Sequence, residues 1–267
     1  MSDAFRDAPW PRIRELVVDV LTVAARTHTG YGLIEVDVTA PLARITELKS
    51  RVPGGVSFTA YLTYCLGRAV AAHPDVQACR SGGRRLAIYD DVDVNTLLER
   101  IKPDGTSVPV LHVVRDAGRK TFAEINAEMR EAVRDDLHDH PAVRRRRQIL
   151  RLPRRARRLV WWWLRRDPVR RKRQYGTVSL SNIGAALGAR PSWGLAPSIL
   201  PCSVIIGGIF ERVGWHDGQA RPRQVMSVTV VVDHDLIDGM PGARFAETFA
   251  GLLERGAGLD EVLHGRR

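Results

Sequence analysis

The chain has 267 residues, 44% of them hydrophobic, and a formal net charge of +11. That length and apolar content suit one large domain or two small ones. Three scattered cysteines, Cys65, Cys79 and Cys202, argue against a zinc site or disulfide framework and fit a reducing cytosol, while no apolar run reaches bilayer length and the N-terminus holds no signal core.

Ile13, Leu16, Val17, Val20, Leu21 and Ala24 recur at helical spacing and predict an amphipathic helix over about 12–25. Gly30 to Val38 reads as a strand with Ile34, Val36 and Val38 on one face. Thr39 reads as an N-cap, with Pro41 just inside a short helix reaching Lys49. Ser57 to Ala72 predicts a more buried helix, ended by Pro74. Leu86 to Tyr89, Val92 to Leu98 and Val108 to Val114 read as strands, with Pro103-Asp104-Gly105 a turn between the last two. Thr121-Phe122-Ala123-Glu124 is a capping box opening a helix to about Asp136. An insert follows from about His138 to Arg173. Gly176 to Ser181, Ser203 to Val213 and Gln224 to Val232 look extended. Pro241 starts the last helix and Gly256 caps its end. Helices mixed with strands, and no repeat, predict an α/β two-layer sandwich in one domain over 1–267. No G-x-G-x-x-G follows a strand and no P-loop is present, which excludes the dinucleotide and nucleoside-triphosphate folds.

The chemistry concentrates at the end of the last strand. Val228-Thr229-Val230-Val231-Val232 is β-branched throughout and suits a buried strand. It feeds His234, and Asp238-Gly239 forms the following turn. An imidazole titrates near neutrality, so a partly shielded one serves as a general base. Asp238 could hold the loop through a charged hydrogen bond. Taken alone, the spacing fits a loop histidine capped by a turn aspartate better than a catalytic base, and the surrounding sequence reverses that preference.

Several segments together resemble one family. Gly176-Thr177-Val178-Ser179-Leu180-Ser181-Asn182-Ile183-Gly184 resembles the G-T-F-T-I-S-N-L-G segment of the catalytic domain of 2-oxo acid dehydrogenase acyltransferases. Ala196-Pro197-Ser198-Ile199-Leu200-Pro201, followed by Val204-Ile205-Ile206-Gly207, resembles its T-P-I-I-N-P and A-I-L-G segments. Asp233-His234-Asp235-Leu236-Ile237-Asp238-Gly239 resembles its D-H-R-x-x-D-G, which chloramphenicol acetyltransferase shares as H-H-x-x-x-D-G. Val56 to Ala60, Pro103 to Gly105 leading to Val108-Pro109-Val110, and Arg115-Asp116-Ala117 match as well, in the family's order.

The resemblance implies a chloramphenicol acetyltransferase-like fold, a mixed sheet packed by helices. It implies a homotrimer, able to assemble further, with active sites between subunits. The acyl donor would be a coenzyme A thioester and no metal is expected. By the match, His234 is the general base, Ser181 of the neighbouring subunit donates to the oxyanion, and Asp238 is structural, with Arg26 its expected cationic partner. Asn182 reads better as a turn residue. Two departures stand out. Asp235 replaces the family's arginine, putting a negative charge beside His234, which would favour the protonated imidazole. The chain also lacks a lipoyl domain and subunit-binding linker, so no lipoyl group in cis is expected, and the acceptor is a free small molecule or a carrier on another chain.

The insert holds the basicity. Between Arg144 and Arg173 stand 15 Lys/Arg and one acid, a net +14, which leaves −3 for the rest of the chain. Within it, Arg154-Arg155-Ala156-Arg157-Arg158-Leu159-Val160-Trp161-Trp162-Trp163-Leu164-Arg165-Arg166 is too short to span a bilayer. Arginines flanking tryptophans fit a helix lying in an anionic headgroup region, with Arg157, Arg158, Trp161, Trp162, Trp163, Arg165 and Arg166 as contacts. Nucleic acid would use the same charges and stack the rings, and ranks below the membrane, as do the phosphates of coenzyme A and an acidic partner protein. A solvated loop is disfavoured by the apolar run. The expected location is the cytoplasm, at the inner membrane face. The competing function is a non-catalytic trimeric scaffold that binds a membrane or nucleic acid through the insert.

Overall fold

A computed structural model describes residues 5–101, 107–134, 148–216 and 218–261. The β-branched run Val228–Val232 lies in β8 (Gln219–Asp233). β8 pairs antiparallel with β1 (Thr29–Asp37) on one side and β7 (Cys202–His216) on the other. β7 is parallel to β6 (Val178–Asn182), β6 is parallel to β4 (Val94–Ile101), and β4 is antiparallel to β5 (Ser107–Val114). The order β1-β8-β7-β6-β4-β5 forms one mixed sheet. Its parallel steps need long crossovers, and the chain between β4 and β6 supplies one of them.

Alternation along β8 divides the sheet's faces. Met226, Val228 and Val230 pack into the main core under the helices. Ser227, Thr229 and Val231 point the other way and are buried as well. The segment over 188–201 covers that second face by backbone contact. A Cβ on Gly207 would meet the Ser192 carbonyl oxygen at 1.9 Å, and one on Gly208 the Arg190 carbonyl oxygen at 2.0 Å, so only glycine fits there.

The helical layer is centred on α3 (Phe58–Ala72), whose Ser57 N-cap accepts a hydrogen bond from Ala60 N. The fully buried Tyr61 donates its hydroxyl to the Leu252 and Leu253 carbonyls at the end of α8 (Gly239–Glu254). These carbonyls also accept from Ala257 N and Gly256 N, so the hydroxyl reinforces an already capped helix end. Phe245 and Phe249 of α8 are also fully buried in this core. α2 (Thr39–Arg51) and α4 (Phe122–Arg134) complete the layer, and Thr121 with Glu124 forms the expected capping box.

Local readings are corrected in three places. Thr39 is the first helical residue of α2, and the Asp37 carboxylate accepts from its amide and hydroxyl. Leu86–Ala87 (β3) pairs only with Cys79–Arg80 (β2), in a separate hairpin. β7 and β8 run beyond the expected strands, because their apolar cores continue into an arm of exposed residues that still pairs. The Pro103-Asp104-Gly105 turn and insert residues 138–147 lie outside the described residues.

The insert forms α5 (Arg154–Arg166) and α6 (Pro168–Tyr175), and the short α7 (Gly184–Leu187) follows β6. Asp167 caps α6 by accepting from Arg170 N, and Pro168 sits in its first turn. Arg115 donates to the Lys172 and Arg173 carbonyls at the other end of α6 and to the buried Asp93 carboxylate. The matched Arg115 is thus a clamp between insert and sheet, with its charge placed at a helix C-terminus.

Candidate active site

β8 ends at Asp233 and the chain turns at once. The Asp233 carbonyl accepts from both Leu236 N and Ile237 N, each at 3.0 Å. Ile237 is buried and anchors the turn in the core. His234 N donates to the His28 carbonyl at 2.7 Å, tying the turn to the chain entering β1. The imidazole itself is exposed and lies over Gly30. A Cβ at Gly30 would stand 3.1 Å from His234 Cδ2 and 3.1 Å from Val232 Cγ2. Gly30 therefore makes the seat for the ring, a role that a glycine inside a strand can signal through close approach. Gly30→Ala is expected to shift the imidazole and lower kcat about tenfold, since a misplacement of about 1 Å can cost up to 100-fold. Steady-state kinetics beside a thermal melt check this, and a wild-type kcat would remove Gly30 from the site.

His28 is the second group that sequence reasoning missed. Its Nδ1 lies 2.7 Å from Asp235 Oδ1. The hydrogen bond that His28 donates to the Asp235 carboxylate, and then that carboxylate's charge, raise the His28 pKa above the ordinary histidine value. The Asp235 carboxylate, expected to put a negative charge beside His234, is engaged by His28. Both partners are exposed, so the pair contributes little to stability.

Asp238 stands at the N-cap position of α8 with extended backbone, and its side chain accepts no cap hydrogen bond. Its charge is well placed at a helix N-terminus. Among the described residues no ion pair joins it to Arg26, which lies instead beside the insert. The expected Arg26–Asp238 link is absent: Asp238 stands at the head of α8, while Arg26, just past the end of α1 (Ile13–Ala24), lines a cavity with the insert.

Ser181 sits near the end of β6, opposite Ile205, which in turn faces Thr229. Thr229 precedes His234 by five residues. Strand spacing then separates Ser181 from His234 by about 16 Å along the sheet and about 10 Å across it. The two also use opposite faces. His234 lies over Gly30 on the helical side, whereas Ser181 shares the face of Ser179 and Ser203, whose hydroxyls bond at 2.6 Å. One protomer does not bring them together. Asn182, expected as a turn residue, is instead the last residue of β6, paired with Ile206; it donates to Thr59 Oγ1 at 3.1 Å and accepts from Gly184 N at 3.2 Å.

The proposed contacts of the insert separate into two groups. Arg157 is buried against α1, bonded to Asp19 at 2.6 Å and Glu15 at 2.7 Å. Removing a partner from such a pair costs about 3–5 kcal/mol, so Arg157 is a bolt and not a membrane contact. Trp161 is buried too and stacks on Tyr175 at 5.7 Å. Both are corrected, and helical phase is the reason: they share the face that meets the body. Arg158, Trp162, Trp163 and Arg166 remain exposed. Arg166 lies over Trp162 at 4.0 Å and Arg170 over Trp163 at 3.5 Å. The Arg165 side chain lies outside the described residues.

Among the described residues no cluster of His, Cys, Asp or Glu could hold a metal, and no helix is long and apolar enough to cross a membrane. Burial pushes the Cys65 and Cys202 thiols up to about 12, so neither serves as a nucleophile at neutral pH.

Comparison with known proteins follows the same outline. The model of the 2-oxoacid dehydrogenases acyltransferase (catalytic domain) family matches residues 2–139 and 164–259, leaving the middle of the insert outside. The dihydrolipoamide acetyltransferase of Azotobacter vinelandii superposes with a TM-score of 0.70 at 16% identity, covering 97% of this chain and 94% of that one. A truncated catalytic core of the 2-oxoacid dehydrogenase multienzyme complex from Thermoplasma acidophilum gives 0.65 at 21% identity, covering 95% and 100%. A chloramphenicol acetyltransferase gives 0.53 at 16% identity, covering 92% and 96%. At these identities the likeness is one of fold. The search of curated proteins returned no match.

Proposed function

Because the chain belongs to the family of 2-oxoacid dehydrogenase acyltransferase catalytic domains, we propose that it moves an acyl group from a coenzyme A thioester to a thiol, hydroxyl or amine acceptor, using His234 of one protomer and Ser181 of the partner subunit. The observation that carries this reading is the seat of His234: an exposed imidazole at the mouth of a buried strand, held through its own backbone by His28 and given room by Gly30. A base must reach its proton within hydrogen-bond distance, and an exposed ring on a fixed backbone can do so.

The steps balance without a covalent enzyme intermediate. The imidazole takes the acceptor's proton as the nucleophile attacks the thioester carbonyl. The oxyanion that forms accepts a hydrogen bond from the Ser181 hydroxyl, which acts where charge develops. Collapse breaks the carbon–sulfur bond, and the coenzyme A thiolate leaves with the proton held by His234. Asp238 positions the turn through its place at the head of α8.

The separation of His234 and Ser181 within one protomer supports a ring of copies, in which each interface joins one of each. The exposed Val213 and Trp215 on the β7–β8 arm are apolar surface that such an interface would cover. Assembly of trimers into larger shells is part of the same proposal.

The test is release of coenzyme A thiol from short and long acyl thioesters offered with thiol, hydroxyl and amine acceptors. Acceptor-dependent release supports the proposal, and silence toward every pair would favour the second reading. That reading is a scaffold resting on an anionic membrane, and the open face of α5, with Leu159 and Trp162 exposed, supports it. Nucleic acid ranks lower, since Trp161 is already stacked on Tyr175 and cannot receive a base. On this reading the protein works in the cytoplasm, at the inner membrane face.

A further inference from the structure

α1, α5 and the β2–β3 hairpin enclose a trough of about 1010 Å³. That volume lies at the upper end of small-molecule sites. Six arginines stand around it: Arg26, Arg80, Arg154, Arg155, Arg158 and Arg166. The acid in the lining, Asp19, is already taken by Arg157. Among the described residues Arg26, Arg154, Arg155 and Arg158 have no acidic partner. So many uncompensated guanidinium groups around one concavity repel one another, and a bound anion relieves that repulsion. Guanidinium forks match phosphate oxygens in pairs, better than a point charge does.

The lining is not only charged. Leu159, 66% exposed, and Trp162, 52% exposed, form its apolar part beside Val23. Arg166 packs on the Trp162 ring and fixes its orientation. A free inorganic anion would leave these side chains wet. A nucleic acid would need successive open aromatic platforms, and here Trp161 is stacked on Tyr175 while Arg166 lies over the Trp162 ring.

We propose that this trough binds one phosphate-headed amphiphile, a phosphate ester carried on an acyl chain, with the arginines on the phosphate and Leu159 and Trp162 on the chain. The trough goes beyond a general membrane contact, because its walls bound a single molecule. It also stands apart from the catalytic reading, because binding is measured without turnover.

The probe is lysophosphatidate below its micelle concentration, titrated calorimetrically into the full chain. Saturation at one molecule per chain is expected. Arg155→Ala with Arg158→Ala should weaken it at least about tenfold, the loss expected when even one charged hydrogen bond goes. Leu159→Asp should weaken it separately. These side chains are exposed, and circular dichroism verifies that the variants fold. Vesicles of phosphatidylglycerol in phosphatidylcholine form the second arm: loss of vesicle binding in the same variants identifies a bilayer as the source, and its persistence identifies a free ligand. Unchanged affinity in the arginine variant, equal affinity for inorganic phosphate, or displacement by an oligonucleotide at lower concentration would each overturn the proposal.

Discussion

Replacing His234 with alanine lowers acyl transfer by about 100–10,000-fold, the range that positioned general-base catalysis contributes. The fold should be untouched. The bond that fixes the turn runs from the backbone amide of residue 234 to the His28 carbonyl, and alanine keeps it. The ring is exposed, so little buried surface is lost. Rate and stability should therefore separate cleanly: thiol release collapses while the thermal midpoint stays near wild type. Retention of the wild-type rate would end the assignment of His234 as base.

Ser181→Ala is expected to cost about 100–1,000-fold in kcat, the loss typical of one oxyanion donor. It should leave KM nearly unchanged, because the hydroxyl acts on charge that develops only in the transition state. The geometry makes a sharper test available. His234 and Ser181 lie on opposite faces of the sheet in one protomer, so a site that uses both, as proposed, needs two copies. Trimers mixed equally from the two inactive variants should recover about a quarter of the sites, as random placement around a ring dictates. Mixed trimers as inactive as their parents would refute a shared site.

Much of the site was legible in the chain itself. Val228–Val232 announced a buried strand through β-branching, and β8 contains it. Ser57 and the Thr121–Glu124 box marked helix starts that the structure keeps. The segments around Ser181, Pro201 and His234 pointed to the acyltransferase family, and the family match agrees. Such signals are local: a cap or an alternation is set by groups a few residues apart.

What only the tertiary structure decided lies between distant segments. His28 meets Asp235 across 207 positions, and Arg157 meets Asp19 across 138. In the string of arginines 154, 155, 157 and 158, nothing local distinguishes the buried bolt from its exposed neighbours. The phase of α5 against α1 selects it. Gly30 likewise looked like any strand glycine until the imidazole was found above it. The chain by itself determined which family its segments match and which of them are strands or helices. Their partners were decided by closure of long loops and packing of faces, because a charge or ring is directed by whichever surface folds against it and not by its neighbours in sequence.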